Sequence, residues 1–178
     1  MTKVGRRQGF LAAGLIAAAV GVTAVWSWGA RAADQPVAGP VPTLPLPPAS
    51  FANPQDAIVA RKDTMKTDGK IFRAMKAAVD AGAPVRPFAE DAQWFVDWGK
   101  QIPAMFPPGS ETGHDTKAKP NIWTDKPGFD RFAADMAAAA QKLVVAANAD
   151  DKAGFGDAFH DLGKACGGCH KAYAYPLH

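Results

Sequence analysis

Apolar residues recur along most of this chain at steps of three, four and seven residues, and no stretch alternates with period two long enough to suggest a strand. The clearest run is Ile58, Met65, Phe72 and Val79, at steps of seven, which marks one face of a helix packed against other helices. Helices bury such faces against one another. The sequence therefore predicts an all-α fold, an antiparallel four-helix bundle over residues 53–178.

Proline, glycine and capping residues set the expected helix boundaries. Asn53-Pro54 is typical of an N-cap followed by the first helical residue, and Gly82-Ala83-Pro84 ends that helix. A second helix is expected from about Pro87 to Ile102, followed by a long connection. The third helix is expected to begin after a cap at Thr124 or Asp125 and to end at Ala149. The last helix is expected to begin after a cap at Asp150 or Asp151.

The amino-terminal segment, residues 1–33, has the pattern of an export signal. Lys3, Arg6 and Arg7 precede an uncharged stretch over residues 10–28, and Ala30-Arg31-Ala32 then offers a small-x-small cleavage site. The stretch is longer than the usual apolar region of a signal peptide, yet it is rich in Ala and Gly for a membrane-spanning helix. We predict export to the periplasm. Cleavage after Ala32 and retention as an inner-membrane anchor both remain open.

Residues 34–52 are rich in proline and contain a single charged residue, Asp34, so we expect an extended spacer ahead of the bundle. The net charge of +3 comes from the export segment, which holds four basic residues and no acid, so the rest of the chain is close to neutral. A nucleic-acid-binding protein needs clustered positive charge. We therefore exclude nucleic acid as a partner.

The two cysteines, Cys166 and Cys169, are followed directly by His170 in the pattern C-G-G-C-H. This is the attachment signature of a c-type haem: two thiols one helical turn apart add to the two vinyl groups, and the imidazole becomes an axial ligand of the iron. A disulfide would leave His170 without a role, a thioredoxin-like pair follows a strand, and a zinc site needs two more ligands. The motif predicts one covalently bound haem c.

Placed on the last helix of a four-helix bundle, this motif resembles the class II c-type cytochromes, the cytochrome c′ and cytochrome c-556 family. Arg61, Met65 and Lys66 are similar to the R-x-x-x-M-K pattern of that family, and residues 117–123 (KAKPNIW) match its second motif. The resemblance covers about residues 53–178. One departure is Ala174 after Tyr173, where family members often carry a basic residue.

The resemblance implies roles for two residues of the first helix. Met65 is expected to face the iron opposite His170, where its thioether sulfur would be the second axial ligand, although plain core packing is the alternative. Arg61, one turn earlier, is expected near a haem propionate, and a solvated surface arginine is its alternative. Met75, Met105 and Met136 are expected in the core.

These features predict an electron-transfer protein, with iron cycling between Fe(III) and Fe(II) and a redox protein as its partner. No general base, nucleophile or phosphate-binding loop points to a conventional enzyme. Two alternatives stay open: a five-coordinate cytochrome c′-type protein that binds NO or CO, and a haem subunit of a membrane respiratory complex. Membrane association through residues 10–28 and formation of a homodimer are compatible with the sequence.

Overall fold

The computed structural model describes residues 39–42 and 45–176. The predicted signal or anchor segment lies outside these residues. The described part of the chain belongs to one compact unit. None of its helices is long and apolar enough to cross a membrane.

Four long helices and one short helical turn make up this unit. Their bounds are α1 Pro54–Asp80, α2 Ala89–Gln101, α3 Asn121–Thr124, α4 Lys126–Ala149 and α5 Lys152–Tyr173. The side chains of Asn53, Asp125 and Asp151 cap α1, α4 and α5 by accepting backbone N–H groups. Short 3-10 turns flank α2 at Arg86–Phe88 and Ile102–Met105, each with a proline near its start, so α2 is shorter than the predicted range.

The core lies where α2, α4 and α5 pack together, with α4 in contact with both of the others. The closest approach is at Gly99 of α2, where an added Cβ would lie 2.9 Å from the Cβ of Ala137 on α4. The largest fully buried side chains include Trp98, Phe95 and Phe155. The all-α fold expected from the apolar periodicity is confirmed.

The two halves of α1 differ in what they bury. Its second half places Ile71, Ala74, Met75 and Ala78 in the common core. Its first half buries Arg61, Thr64 and Thr67, all less than 10% exposed, beside the apolar Ala57 and Ile58. Polar groups are costly to bury without hydrogen bonds, so this half of α1 faces a part of the bundle that differs from the core.

The described part of the proline-rich segment, residues 39–42 and 45–52, contains no helix or strand, and it lies against the bundle. We call these residues the strap. Val41 donates its backbone N–H to Oδ2 of Asp91 at 3.2 Å, and the Gln101 side chain donates to the carbonyl of Pro47. Val41 precedes Pro47 along the strap as Asp91 precedes Gln101 along α2. The strap therefore runs alongside α2, in the same direction.

Candidate functional site

The C-G-G-C-H motif lies in the last turns of α5. Cys166 and Cys169 are free, half-buried thiols, and His170 is exposed. A Cβ on Gly168 would lie 3.1 Å from Cε1 of Phe132, so a side chain here would press on a ring of α4. A Cβ on Gly167 would meet no protein atom within 4 Å. The surface between the two thiols is thus free of side chains, as a flat ring attached to both sulfurs requires.

Burial shifts the pKa of each of the three ionisable groups of the motif. It raises the pKa of the Cys166 thiol to about 12, with a further contribution from the Asp68 carboxylate, and that of Cys169 to about 11. Although His170 is exposed as a residue, the protein around its imidazole removes part of the solvent and lowers the pKa of that group below its ordinary value. At neutral pH both sulfurs carry a proton to add across a vinyl group, and the imidazole has a lone pair to offer to iron.

The packing of α1 on α5 follows a regular antiparallel register. A Cβ on Gly156 would lie 3.8 Å from Cγ1 of Val79, and one on Gly163 would lie 3.3 Å from Cζ of Phe72. From the first contact to the second, the residue number falls by seven on α1 and rises by seven on α5, as expected for antiparallel helices. Extending the same register by one further step of seven predicts that Met65 lies opposite His170. Met65 is half-buried on this face.

Arg61 lies buried on the same half of α1 and holds the connection between α2 and α3. Its two terminal nitrogens donate to the carbonyl of Met105 at 3.1 Å, to Oγ and the carbonyl of Ser110 at 3.0 and 2.8 Å, and to Oγ1 of Thr116 at 3.0 Å. The guanidinium also lies over the Phe106 ring, 4.4 Å from its centroid. Burial lowers its pKa to about 10, so Arg61 remains a cation at neutral pH. Contact with a propionate stays a prediction.

Residues 117–123, the K-A-K-P-N-I-W segment, form hydrogen bonds with the end of α5. The backbone N–H of Lys119 donates to the carbonyl of Tyr173 at 3.0 Å, and that of Tyr175 donates to the carbonyl of Lys117 at 2.7 Å. The side chain of Asn121 adds a 3.2 Å bond to the carbonyl of Ala172. This segment, although distant in sequence, therefore fixes the helix end that carries His170.

One residue of the site was not predicted from the sequence. Asp68 lies one turn after Met65 on α1. Its Oδ2 accepts a 3.1 Å hydrogen bond from Nε1 of Trp98, and its Oδ1 is buried without a hydrogen-bond partner. The spacing could have revealed it, because Asp68 falls between Met65 and Phe72 at helical steps of three and four.

Comparison with known proteins decides the family. The family model described as Cytochrome C' matches residues 56–174. The chain belongs to the cytochrome c′ family. Its members bind haem c covalently, so the expected cofactor is confirmed. The two free thiols one turn apart and the neutral imidazole beside them are a donor set that fits this group.

Relatives within the cytochrome c′ family carry two kinds of name. The cytochrome c′ of Rubrivivax gelatinosus is 34% identical over 69% of this chain and 97% of its own length. The cytochrome c-556 of Agrobacterium tumefaciens is 43% identical over 42% of this chain and 58% of its own length. A solved nitric oxide complex of a variant of cytochrome c prime from Alcaligenes xylosoxidans covers 72% of this chain and all of its own, with 29% identity and a TM-score of 0.64.

The zinc and disulfide alternatives find no support in the described residues. Among them, no group of three His, Cys, Asp or Glu side chains is arranged to hold a metal ion. The two cysteines are not bonded to each other.

Proposed function

We propose that this chain is a periplasmic electron carrier with a six-coordinate haem iron. The haem is bound through thioethers to Cys166 and Cys169, with His170 and Met65 as the axial ligands. Bound in this way, the group supplies an iron centre that accepts and returns a single electron. The protein positions the iron and excludes water, and a redox protein outside the bundle is the partner.

The antiparallel register of α1 and α5 is the observation that carries this proposal. The structure shows Val79 against Gly156 and Phe72 against Gly163, and the same step of seven residues, taken once more, leads to Met65 and His170. If the register extends that far, the two side chains would approach one iron from opposite sides. The thioether is a soft, neutral ligand, and His/Met ligation raises the reduction potential of a haem.

Arg61 supports the same arrangement as a positioning residue. Its hydrogen bonds to Met105, Ser110 and Thr116 fix the first half of α1 against the connection. Met65 follows one turn later on the same helix. A methionine on a fixed helix needs little reorganisation when the iron changes oxidation state.

A second candidate function is the binding of a small gas to a five-coordinate iron. It is favoured by the Alcaligenes xylosoxidans relative, which was solved as a nitric oxide complex. In this alternative Met65 packs beside the haem without bonding to it. Methionine commonly fills irregular gaps in a core, so the same half-buried side chain serves either function.

Optical and electron paramagnetic resonance spectra of the exported holoprotein separate the two functions. We expect low-spin, six-coordinate iron in the oxidised wild type. Met65→Leu should convert it to high-spin iron, lower the reduction potential and accelerate carbon monoxide binding, because the sulfur no longer has to leave. Met75→Leu is the matched control: Met75 is buried in the core on the same helix, and its loss should leave the spectrum unchanged.

An oxidised wild type that is already high-spin, with the same spectrum in Met65→Leu, would show that Met65 only packs, and the gas-binding function would take precedence. Attachment is tested separately by mass spectrometry after acid-acetone extraction. The wild type should keep one haem through the extraction. A protein that loses its colour there does not bind haem through Cys166 and Cys169.

A further inference from the structure

Asp68 is a buried acidic group that neither haem attachment nor iron ligation uses. Among the described residues, its one hydrogen bond comes from the indole N–H of Trp98 on α2, and none of them donates to the buried Oδ1. A buried ion normally requires a partner of opposite charge. Within residues 39–42 and 45–176, no lysine, arginine or histidine forms an ion pair with this carboxylate.

In the part of the chain that the structure describes, the causes of the pKa shift of Asp68 include no charged side chain. Trp98 faces it from α2 and the Cys166 thiol from α5. Of the nearby lysines, Lys66 on α1 pairs with Asp63, and Lys164 on α5 pairs with Asp161. Burial raises the pKa of Asp68 to about 8, and the hydrogen bond from Trp98 opposes that rise. The carboxyl therefore exchanges a proton near neutral pH.

Asp68 is also coupled electrostatically to the attachment site, because its charge raises the pKa of Cys166. The iron of a haem bound at Cys166 loses one positive charge when it is reduced. A nearby carboxylate is then less stabilised, and its affinity for a proton rises. Protonation of Asp68 and reduction of the iron therefore favour each other.

We infer that Asp68 takes up one proton when the haem is reduced, and that the reduction potential therefore depends on pH. This inference rests on the proposed electron-transfer function. One electron arrives from a reduced redox protein and converts Fe(III) to Fe(II). One proton moves from solvent to Oδ1 of Asp68. Oxidation returns the electron to an oxidised partner and the proton to solvent, so the charge of the site is the same in both states.

The test is potentiometric titration of the holoprotein across neutral and alkaline pH. In the wild type the reduction equilibrium should change by up to tenfold per pH unit, about 59 mV for a one-electron couple, and the potential should fall as pH rises. Asp68→Asn keeps the shape of the side chain and should remove this dependence. Asp63→Asn is the matched control, since it removes an exposed charge from the same helix and should keep the dependence.

A dependence that persists unchanged in Asp68→Asn overturns the inference and assigns the proton to a propionate or to His170. Infrared difference spectra of the wild type provide a second measurement that does not depend on the variant folding. Reduction should produce a protonated-carboxyl C=O band, and its absence also overturns the inference. Trp98→Phe removes the hydrogen bond that lowers the pKa of Asp68. The range of pH over which the reduction potential changes should therefore move to higher pH. If the haem is not reduced reversibly, the proposed electron-transfer function is wrong, whatever the role of Asp68.

Discussion

The hydroxyl of Tyr173 donates a 2.6 Å hydrogen bond to Oδ2 of Asp125. Asp125 caps the first turn of α4, and Tyr173 is the last residue of α5, so this bond joins one end of each helix. Gly128 leaves room for the pair: a Cβ there would lie 2.3 Å from the Asp125 carboxylate and 2.5 Å from the Tyr173 oxygen. The bond therefore fixes the helix end that carries the C-G-G-C-H motif.

Tyr173→Phe should lower the melting temperature at neutral pH and lose this effect in acid. The hydrogen bond from Tyr173 is the main cause that lowers the pKa of Asp125 below 3.8. A lowered folded-state pKa contributes stability above the unfolded-state pKa, and that stability is lost as pH falls through the folded-state value. The difference in melting temperature between wild type and variant should shrink below about pH 4. A constant difference down to pH 2 would mean that the ring position, rather than the hydrogen bond, is responsible.

Arg61→Leu should reduce the free energy of unfolding by about 3 kcal/mol, because the buried carbonyl oxygens of Met105 and Ser110 lose their charged donor. Arg61→Lys should recover only part of the loss, since one ammonium cannot reproduce the forked geometry. Denaturation in guanidinium chloride measures both. Arg73→Leu, an exposed arginine on the same helix, is the control and should change stability by less than about 0.5 kcal/mol. Equal effects at the two positions would contradict the structural role of Arg61.

Gly99→Ala and Gly156→Ala should have opposite effects on stability. An alanine Cβ at position 99 would lie 2.9 Å from the backbone nitrogen of Ala137, so α2 and α4 must separate, at a cost of about 1–3 kcal/mol. At position 156 the nearest atom is 3.8 Å away, and the better helix propensity of alanine should add about 0.5–1 kcal/mol. Thermal unfolding of both variants checks the pair. A stabilising Gly99→Ala would show that the two helices are not in tight contact.

Asp91→Ala should release the strap from α2. It removes the acceptor of the Val41 N–H, and the loss of one such bond costs about 1 kcal/mol. We expect faster amide exchange at Val41 and faster proteolysis within residues 39–52. Glu90→Ala, an exposed acid in the same helical turn, should leave both rates unchanged. Unchanged rates in Asp91→Ala would show that the apolar contacts of the strap are sufficient to hold it.

The sequence predicted the features that depend on local chemistry. Short polar side chains before a helix accept its free N–H groups, so caps were expected at Thr124 or Asp125 and at Asp150 or Asp151. The structure shows that Asp125 and Asp151 are the capping residues. The position of the strap could not be predicted, because an extended proline-rich segment has no periodicity that identifies the face it covers. The partners of Arg61 lie in an irregular connection far along the chain, and their hydrogen bonds depend on tertiary structure alone.

The contrast between the two halves of α1 has a consequence for the order in which the protein matures. The half around Met75 shares the apolar core and gains free energy as soon as the other helices pack. The half around Arg61 buries three polar side chains beside Ala57 and Ile58, and Arg61 needs its hydrogen bonds to the connection to offset the cost of its burial. We expect it to close last, while Cys166 and Cys169 are still open to solvent. Haem attachment and the closing of this half of α1 then become a single event in the assembly of the protein.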